Sequence, residues 1–444
     1  MSLSKKQPTV GIYTLGCKVN QYESEAIAEA FQKEGFFVQS PELVSDIYII
    51  NTCTVTAESD RKARQFIRRA THQNPDALVF VTGCFSQVSP EEVAKIPGVD
   101  YVCGNAEKLS VVKEAKQRLG LDKRDAADVQ IPDLTDCGFE PMKITTFDRT
   151  RAYVKIEDGC ENHCAYCIIP SARGPVRSKP VDEVVEEVKE LTASGCPEVV
   201  LTGIEISSYG KDLEKTNLAT LLVVLGKIPG IGRIRLGSLD PSSITPAFVE
   251  AAKQVKTLAP HFHLSLQSGS DKILAAMKRK YNSTQALQAI ERLKEAFPEA
   301  KFTTDIIVGF PGESEEDFEK TLQFAEKVRF LTIHVFPYSR RKGTVADRMP
   351  EQVPEETKHR RAATLSALEK GIREEILKEE IGKTYQVLFE TDEEGSSLGH
   401  TPNFLEVRCK ASAPLHGQTR LVLLKKTEKN ELVGELWQEK SEKT

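Results

Sequence analysis

The chain of 444 residues lacks several features that would point to a membrane, secreted or strongly basic protein. No uncharged run of 18 residues could cross a bilayer, and the first ten residues contain no apolar segment typical of a signal peptide. Ten cysteines are too few for a disulfide scaffold. We therefore expect a cytoplasmic protein without a membrane partner, whose thiols stay reduced. With 60 basic and 65 acidic residues, the net charge of −5 indicates no overall attraction to nucleic acid, so any RNA binding must depend on local clusters.

The most informative feature that is present is a group of three cysteines in the segment GCENHCAYCIIP. Cys160, Cys164 and Cys167 have the spacing C-x3-C-x2-C. Three thiolates can hold three irons of a 4Fe–4S cluster and leave the fourth iron open to a substrate or cofactor. The alternatives are a zinc site completed by His163 or a remote residue, and chance clustering of buried cysteines. Structural zinc sites usually show a second cysteine pair, which favours the cluster.

Residues 8–125 alternate apolar runs with amphipathic stretches, which predicts the βαβα pattern of a parallel sheet. Cys17, Cys53 and Cys84 each follow one of three apolar runs. Because the carboxyl ends of parallel strands lie on one edge of a sheet, these cysteines can form a second three-thiolate group. The alternative is that each is a small buried packing residue. Packing is the role we predict for the cysteines without this regularity, which are Cys103, Cys137, Cys196 and Cys409.

Residues 126–147 lose periodicity and are interpreted as a linker. Residues 148–376 then contain six strand-like runs separated by helical patterns, which predicts a partial, open (β/α)6 barrel within an α/β fold. Residues at the strand ends become candidates for cofactor binding, although polar residues in such positions often cap the next helix. They are Thr202, Gly203, Glu205, Ser238, Gln267 and Asp305.

After a charged helix near residues 353–380, residues 378–440 contain short strand-like runs and turns, which predict a small antiparallel β-barrel. Local basic clusters are candidates for RNA binding, although charge runs are usually solvated faces. The candidates are Arg173, Arg177, Arg340 and Arg341, with a further cluster at Lys278, Arg279 and Lys280. The group at Arg173 is favoured because it directly follows the cysteine loop.

Taken in order, seven segments resemble the methylthiotransferases, a family of radical S-adenosylmethionine (SAM) enzymes. The segments are LGCKVNQYESE, INTCTVT, VTGCFSQ, DGCENHCAYCIIPSARG, LSLQSGSDKILAAMKRKY, TDIIVGFPGE and HVFPYSRRKGT. The resemblance implies an N-terminal domain for an auxiliary cluster, a radical SAM barrel and a C-terminal TRAM-type β-barrel that holds RNA. It implies that Cys160, Cys164 and Cys167 bind the SAM cluster, that Cys17, Cys53 and Cys84 bind the auxiliary cluster, and that Tyr166 packs near the adenine of SAM.

LGCKVN and HLSLQSGSD are most similar to the bacterial branch that acts on N6-threonylcarbamoyladenosine beside the tRNA anticodon. The isopentenyladenosine branch more often reads GCQMN, and the branch acting on a ribosomal-protein aspartate more often reads GCxKN. Two features depart from the family pattern: Ser171, where an aromatic residue is common, and the phrase LTGIEISSYG.

The resemblance also implies the chemistry and the partners. Two 4Fe–4S clusters and SAM would replace the C2 hydrogen of an adenine by a methylthio group, because that C–H bond is too unreactive for acid–base catalysis. The partners would be a tRNA anticodon stem-loop, an electron donor and a sulfur source. Two other interpretations stay open: a radical SAM enzyme whose N-terminal cluster only relays electrons, and a non-catalytic iron–sulfur or zinc scaffold that binds RNA.

Overall fold

The N-terminal part of the chain forms a six-stranded parallel sheet in the computed structural model, which describes residues 7–121, 126–147 and 150–437. Its strand order is β2-β1-β3-β4-β5-β6. The strands are β1 (Thr9–Thr14), β2 (Phe37–Gln39), β3 (Ile47–Thr52), β4 (Leu78–Gly83), β5 (Tyr101–Cys103) and β6 (Asp128–Gln130). The helices are α1 (Lys18–Lys33), α2 (Ala57–Gln73), α3 (Cys84–Val88), α4 (Pro90–Ala94) and α5 (Ser110–Arg118). Strands β3 and β4 are buried along their whole length, as expected for parallel strands covered on both faces.

The prediction of an unstructured linker over residues 126–147 is wrong. β6 lies within it and pairs with β5, and the following residues pack against α1. Glu29 accepts hydrogen bonds from the backbone N–H groups of Thr145 and Thr146 at 2.8 and 2.9 Å. The phenol of Tyr22 donates to the carbonyl of Met142 at 2.6 Å. Sequence periodicity missed the second half of this segment because the partners of Met142 and Thr145 lie more than a hundred residues away along the chain.

The middle of the chain forms the predicted open barrel of six βα units. Two parallel sheets, β11-β10-β7 and β12-β13-β14-β15, make its wall. The strands are β7 (Ala152–Lys155), β8 (Glu157–Asp158), β9 (Arg177–Ser178), β10 (Glu198–Thr202), β11 (Arg233–Leu236), β12 (Ser238–Leu239), β13 (His261–Gln267), β14 (Lys301–Val308) and β15 (Thr332–Pro337). The helices are α6 (Ile169–Arg173), α7 (Val181–Ala193), α8 (Leu218–Leu225), α9 (Pro246–Lys253), α10 (Asp271–Ala276), α11 (Ser283–Ala296), α12 (Glu315–Val328) and α13 (Glu355–Glu379). None of the helices in the described ranges is long and apolar enough to cross a membrane.

Alternation along these strands separates an apolar outer face from a polar inner face. Phe262, Leu264 and Leu266 of β13 belong to the hydrophobic core shared with the surrounding helices. The intervening residues of β13, β14 and β15 face the inside of the barrel, which we call the lumen. They are His261, His263, Gln267, Thr303, Asp305, Ile307, His334 and Phe336.

The C-terminal part is a closed five-stranded barrel, as predicted, with strand order β16-β17-β18-β20-β19. It is antiparallel as expected except for the pair β18 and β20, which is parallel. Its strands are β16 (Thr384–Glu393), β17 (Ser396–His400), β18 (Glu406–Lys410), β19 (Thr419–Glu428) and β20 (Glu431–Leu436). β17 has the sequence SSLGH, whose serines and glycine give no strand signal. Residues 438–440 of the predicted domain lie outside the described residues. The small barrel docks on the amino end of the larger one, where Phe404 stacks on His261 with ring centroids 4.5 Å apart.

A buried ionic cluster joins the N-terminal sheet to the open barrel. Glu23 of α1 is fully buried and pairs with Lys108, with Lys155 at 2.7 Å and with Arg173 at 2.5 Å. Asp158 pairs with Lys155 at 2.6 Å and with Arg173 at 3.2 Å. Burial alone would raise the pKa of Glu23, but the charges of Arg173, Lys108 and Lys155 outweigh it and hold that pKa well below its ordinary value.

Replacing Glu23 with glutamine should lower the free energy of unfolding of the full chain by roughly 3–5 kcal/mol, because three buried cations each lose one carboxylate partner. Denaturant titration of the purified protein measures the change. The control is Glu34→Gln at the exposed end of the same helix, which pairs with Lys116 at the surface and should change the free energy by at most about 1 kcal/mol. Equal, small effects of the two substitutions would contradict the role given to Glu23.

Candidate active site

Cys17, Cys53 and Cys84 meet at the carboxyl edge of the N-terminal sheet. Cys17 is the N-cap of α1, Cys53 follows β3, and Cys84 is the first residue of α3 after β4. Gly16 has φ +98°, and a Cβ atom placed on it would lie 2.7 Å from the Cβ of Cys53. Only glycine therefore lets the Cys17 and Cys53 segments approach this closely. Burial raises the pKa of Cys53 to about 11, with smaller contributions from the neighbouring thiols of Cys84 and Cys17.

Cys160, Cys164 and Cys167 lie on the loop between β8 and α6. Gly159 begins the loop with φ +88°, and a Cβ atom there would clash with the carbonyl oxygen of Pro175 at 1.8 Å. The N–H of Cys160 donates to the carbonyl of Gly174, and the N–H of Cys167 donates to that of Cys164, both at 3.0 Å. These backbone bonds fold the loop so that its three thiols form one group.

The two cysteine groups lie next to each other. α3, which begins with Cys84, packs against α6, which follows Cys167. Asn105 donates to Cys84 Sγ at 3.4 Å and to the carbonyl of Ala172 at 2.7 Å, which ties the two segments together. The pKa of Cys167 is raised to about 11 mainly by burial, with a smaller contribution from the charge of Cys84 across this boundary.

Each cysteine group has an arginine bonded to one of its sulfurs. Arg173 Nε lies 3.3 Å from Cys84 Sγ, and Arg279 Nη1 lies 3.2 Å from Cys164 Sγ. Arg279 is held in place by Asp240 at 2.7 Å and by the carbonyl of Ser265 at 2.9 Å. Burial raises the pKa of Cys160 to about 12, so this thiol needs a metal ion or a nearby cation to become a thiolate at neutral pH.

A cavity of about 260 Å³ opens beside Cys167, between the N-terminal sheet and the lumen. Its wall is mostly apolar and includes Val55, Ile307 and Phe336. Three predicted cofactor-binding residues, Tyr166, Gln267 and Asp305, also line it. Gln267 ends β13 with φ +73°, a strained conformation for a side-chain-bearing residue that is common at functional sites. Tyr166 packs edge-on against Phe310 at 6.5 Å.

The other predicted cofactor-binding residues at strand ends, Thr202, Gly203, Glu205 and Ser238, do not line this cavity. Thr202 and Glu205 are buried after β10, and Glu205 accepts a hydrogen bond from Asn162 of the cysteine loop at 3.4 Å. Burial, with the charge of Asp240, raises the pKa of Glu205 to about 7. A Cβ atom on Gly203 would lie 2.6 Å from Glu157 Oε2, so this backbone is tightly packed. Ser238 is exposed on the short strand β12.

The prediction that Arg173 and Arg177 bind RNA is wrong, because both side chains are buried. Arg173 is fully buried in the ionic cluster, and Arg177 is 5% exposed and lies 3.5 Å from Asp158. Arg341 is largely covered and pairs with Asp60 of α2. Arg340 pairs with Asp347 at 3.1 Å but keeps 59% of its side-chain surface exposed.

Some functional neighbours were missed or misassigned from sequence. Arg279 was grouped with exposed basic residues, yet only 5% of its side chain is exposed. Sequence analysis did not identify three further residues as candidates for the site. They are Lys18, directly after Cys17, and the lumen residues His263 and His334. Cys103, Cys196 and Cys409 are buried as predicted, but Cys137 is half-buried in a loop and is not a core residue.

Comparison with known families gives two matches. Residues 154–325 match the Radical SAM superfamily, and residues 9–104 match the Uncharacterized protein family UPF0004. Among solved structures, a radical S-adenosylmethionine methyltransferase, TsrM, from Kitasatospora setae, with cobalamin and a 4Fe–4S cluster bound, is 16% identical. It aligns with a TM-score of 0.56 over 77% of each chain, a likeness of fold alone.

Curated relatives align over most of the chain. The threonylcarbamoyladenosine tRNA methylthiotransferase MtaB of Bacillus subtilis is 40% identical over 92% of both chains. The protein of the same name from Thermotoga maritima is 42% identical over 86% of both chains. A tRNA-2-methylthio-N(6)-dimethylallyladenosine synthase of Carboxydothermus hydrogenoformans is 37% identical over 86% of this chain and 87% of its own. The chain therefore belongs to the radical SAM tRNA methylthiotransferase family.

Proposed function

We propose that the protein is a transferase that places a methylthio group on C2 of N6-threonylcarbamoyladenosine in tRNA. The observation that carries this proposal is that two three-cysteine groups lie next to each other, and that Cys167 of one group lines a largely apolar cavity. The names of the relatives at 40% and 42% identity support the choice of the threonylcarbamoyl base.

Cys160, Cys164 and Cys167 would hold a 4Fe–4S cluster with one iron open to SAM, and Cys17, Cys53 and Cys84 would hold a second cluster. The surrounding charges fit such groups, because thiolate-bound clusters are anionic. Four buried cations, Lys108, Lys155, Arg173 and Arg177, face three carboxyl groups, Glu23, Asp158 and Glu140, which leaves at least one excess positive charge near the cysteine groups. When bound, the clusters and SAM supply the one-electron chemistry and the sulfur that acid–base groups cannot provide.

The chain's own residues position and shield this site. Arg279 and Arg173 donate to Cys164 and Cys84, and hydrogen bonds to cluster sulfurs are a principal way in which proteins set reduction potential. The apolar wall at Ile307 and Phe336 would exclude water from the reacting base. Tyr166, Thr202, Gly203, Glu205 and Ser238 stay candidates for SAM contacts.

The target adenosine would have to leave its stack to enter the cavity, which is easier in an anticodon loop than in a duplex. Arg340 and the C-terminal barrel would hold the surrounding RNA. Trp437 is 46% exposed beside β19, where its backbone N–H donates to the carbonyl of Leu421 at 2.8 Å. The cytoplasm is the compartment that supplies tRNA, and we propose that an electron donor and a sulfur source act there as partners.

Removing one cysteine group should abolish a different activity from removing the other. A Cys160/Cys164/Cys167→Ala variant should keep roughly half the iron and lose SAM cleavage, because it keeps one three-cysteine group. A Cys17/Cys53/Cys84→Ala variant should keep SAM cleavage and lose methylthiolation. Iron analysis and product chromatography after anaerobic reconstitution measure both. Cys137→Ala is the matched control and should keep all the iron. Loss of both activities in a folded Cys17/Cys53/Cys84→Ala variant would contradict separate roles.

The substrate can be tested with purified, reconstituted protein and two anticodon stem-loops, one bearing N6-threonylcarbamoyladenosine and one bearing isopentenyladenosine. We expect a preference for the first of at least about tenfold in kcat/KM, because a site built for a polar substituent rejects an analogue that lacks it. Preferential methylthiolation of the isopentenyl RNA, or of a ribosomal protein, would overturn the substrate while leaving the two cysteine groups in place.

The single tryptophan offers a direct probe of RNA binding. Addition of tRNA should quench the fluorescence of Trp437 if a base or the RNA backbone contacts the C-terminal barrel, and higher salt should reverse the quenching. The Trp437→Phe variant is the spectroscopic blank, and its tRNA affinity should fall by about tenfold at most. Unchanged fluorescence at saturating tRNA would show that the RNA does not contact the barrel near Trp437.

A further inference from the structure

A lysine lies near the part of the lumen formed by His263, Asp305 and His334, which we call the recess. Lys18 is the first residue of α1, and its side chain is accessible to solvent. Desolvation nevertheless lowers its pKa, and the charges of Arg235 and Arg151 lower it further. Glu198 and Asp305 act in the opposite direction. The charge of Lys18 also acts on His334, so Lys18 lies near both Asp305 and His334 of the lumen.

This ammonium lacks a partner. Within the described residues, Lys18 Nζ makes no hydrogen bond and no ion pair. Arg235, which is 2% exposed, binds Glu198 at 2.8 and 3.1 Å but leaves Nη1 without a hydrogen-bond partner in the same ranges. Unsatisfied buried donors are rare and usually mark a missing ligand or water.

The charges around the recess do not balance. Four cations face three carboxylates, so one positive charge has no counterpart. The cations are Lys18, Arg151, Arg233 and Arg235, and the carboxylates are Glu198, Asp305 and Glu390. A single anionic group would complete the set.

His263, Asp305 and His334 form the wall of the recess, with one ligand atom of each within 4.8 Å of the others. Thr303 Oγ1 lies 2.8 Å from His263 Nδ1, and Asp305 Oδ2 lies 3.3 Å from His263 Nε2. Such a group could hold a metal ion or a polar organic ligand. The charge of Lys18 acts on both Asp305 and His334, which opposes a second cation and favours an anion.

The recess continues into the cavity beside Cys167, because Asp305 lines both. A base in the apolar cavity would therefore direct a substituent on its Watson–Crick edge towards Lys18. N6 lies on that edge, as C2 does.

We infer that the lumen binds the carboxylate of the N6 substituent of the target adenosine, with Lys18 as the residue that determines specificity for an acidic substituent. This inference rests on the proposed function, since it requires the base in the cavity. The carboxylate would accept hydrogen bonds from Lys18 Nζ and Arg235 Nη1, and Asp305 would accept one from the hydroxyl of the substituent.

The test compares two anticodon stem-loops, one bearing N6-threonylcarbamoyladenosine and one bearing its methyl ester, which keeps the shape and removes the charge. With reconstituted full-length protein, Lys18→Gln should lower kcat/KM for the acid by about 10- to 100-fold and change that for the ester by less than about threefold. Lys18→Arg should restore most of the loss. Lys33→Gln, an exposed lysine on the same helix, is the matched control and should act like the unaltered chain.

Iron content and uncoupled SAM cleavage are measured for each variant, because Lys18 adjoins Cys17. If Lys18→Gln loses iron, Arg235→Lys decides, because it keeps a cation beside Glu198 but removes the free Nη1 donor, and it should show the same acid-selective loss. Equal loss on acid and ester, or no loss on either, would overturn the inference. One equivalent of a non-iron metal that disappears in His334→Gln would also overturn it. Failure of the unaltered protein to methylthiolate either RNA would instead overturn the proposed function.

Discussion

The architecture depends on one buried guanidinium. Arg173 contacts Cys84 Sγ, Glu23, Asn20 and Asp158, and so joins the N-terminal sheet to the cysteine loop of the open barrel. Removing a partner from a buried charge costs several kcal/mol, so the two parts cannot separate without a large penalty. The same contact fixes the two cysteine groups beside each other. Rigidity of this kind is what a reaction between two bound groups requires.

The lumen of the open barrel has an apolar part and a polar part. Its upper part, at Ile307 and Phe336, is apolar and suits a flat base, whereas its lower part contains Lys18, His263 and Asp305. Strand alternation produces both, since every second residue of β13, β14 and β15 faces inward. The small C-terminal barrel closes the amino end, where Arg151 pairs with Glu390 and Phe404 covers His261.

Sequence reasoning predicted the fold and the two cysteine groups, because strand periodicity and cysteine spacing are local signals. Cys17, Cys53 and Cys84 could be grouped from their common position after parallel strands. Arg173 and Arg279 could not be placed in the same way. Each is a charged residue in a basic run, and its partners lie far along the chain, with Glu23 150 residues from Arg173 and Cys164 115 residues from Arg279. The local pattern resembles a solvated face, and only tertiary structure distinguishes a buried cation from an exposed one.

The central claim is that two clusters, held by the two cysteine groups, face one cavity. Low-temperature electron paramagnetic resonance of the fully reconstituted, reduced protein tests it most directly. The account predicts two reduced-cluster signals broadened by mutual spin coupling, with SAM shifting only the signal that is lost in the Cys160/Cys164/Cys167→Ala variant. One cluster per chain, or two sharp signals without coupling, would contradict it.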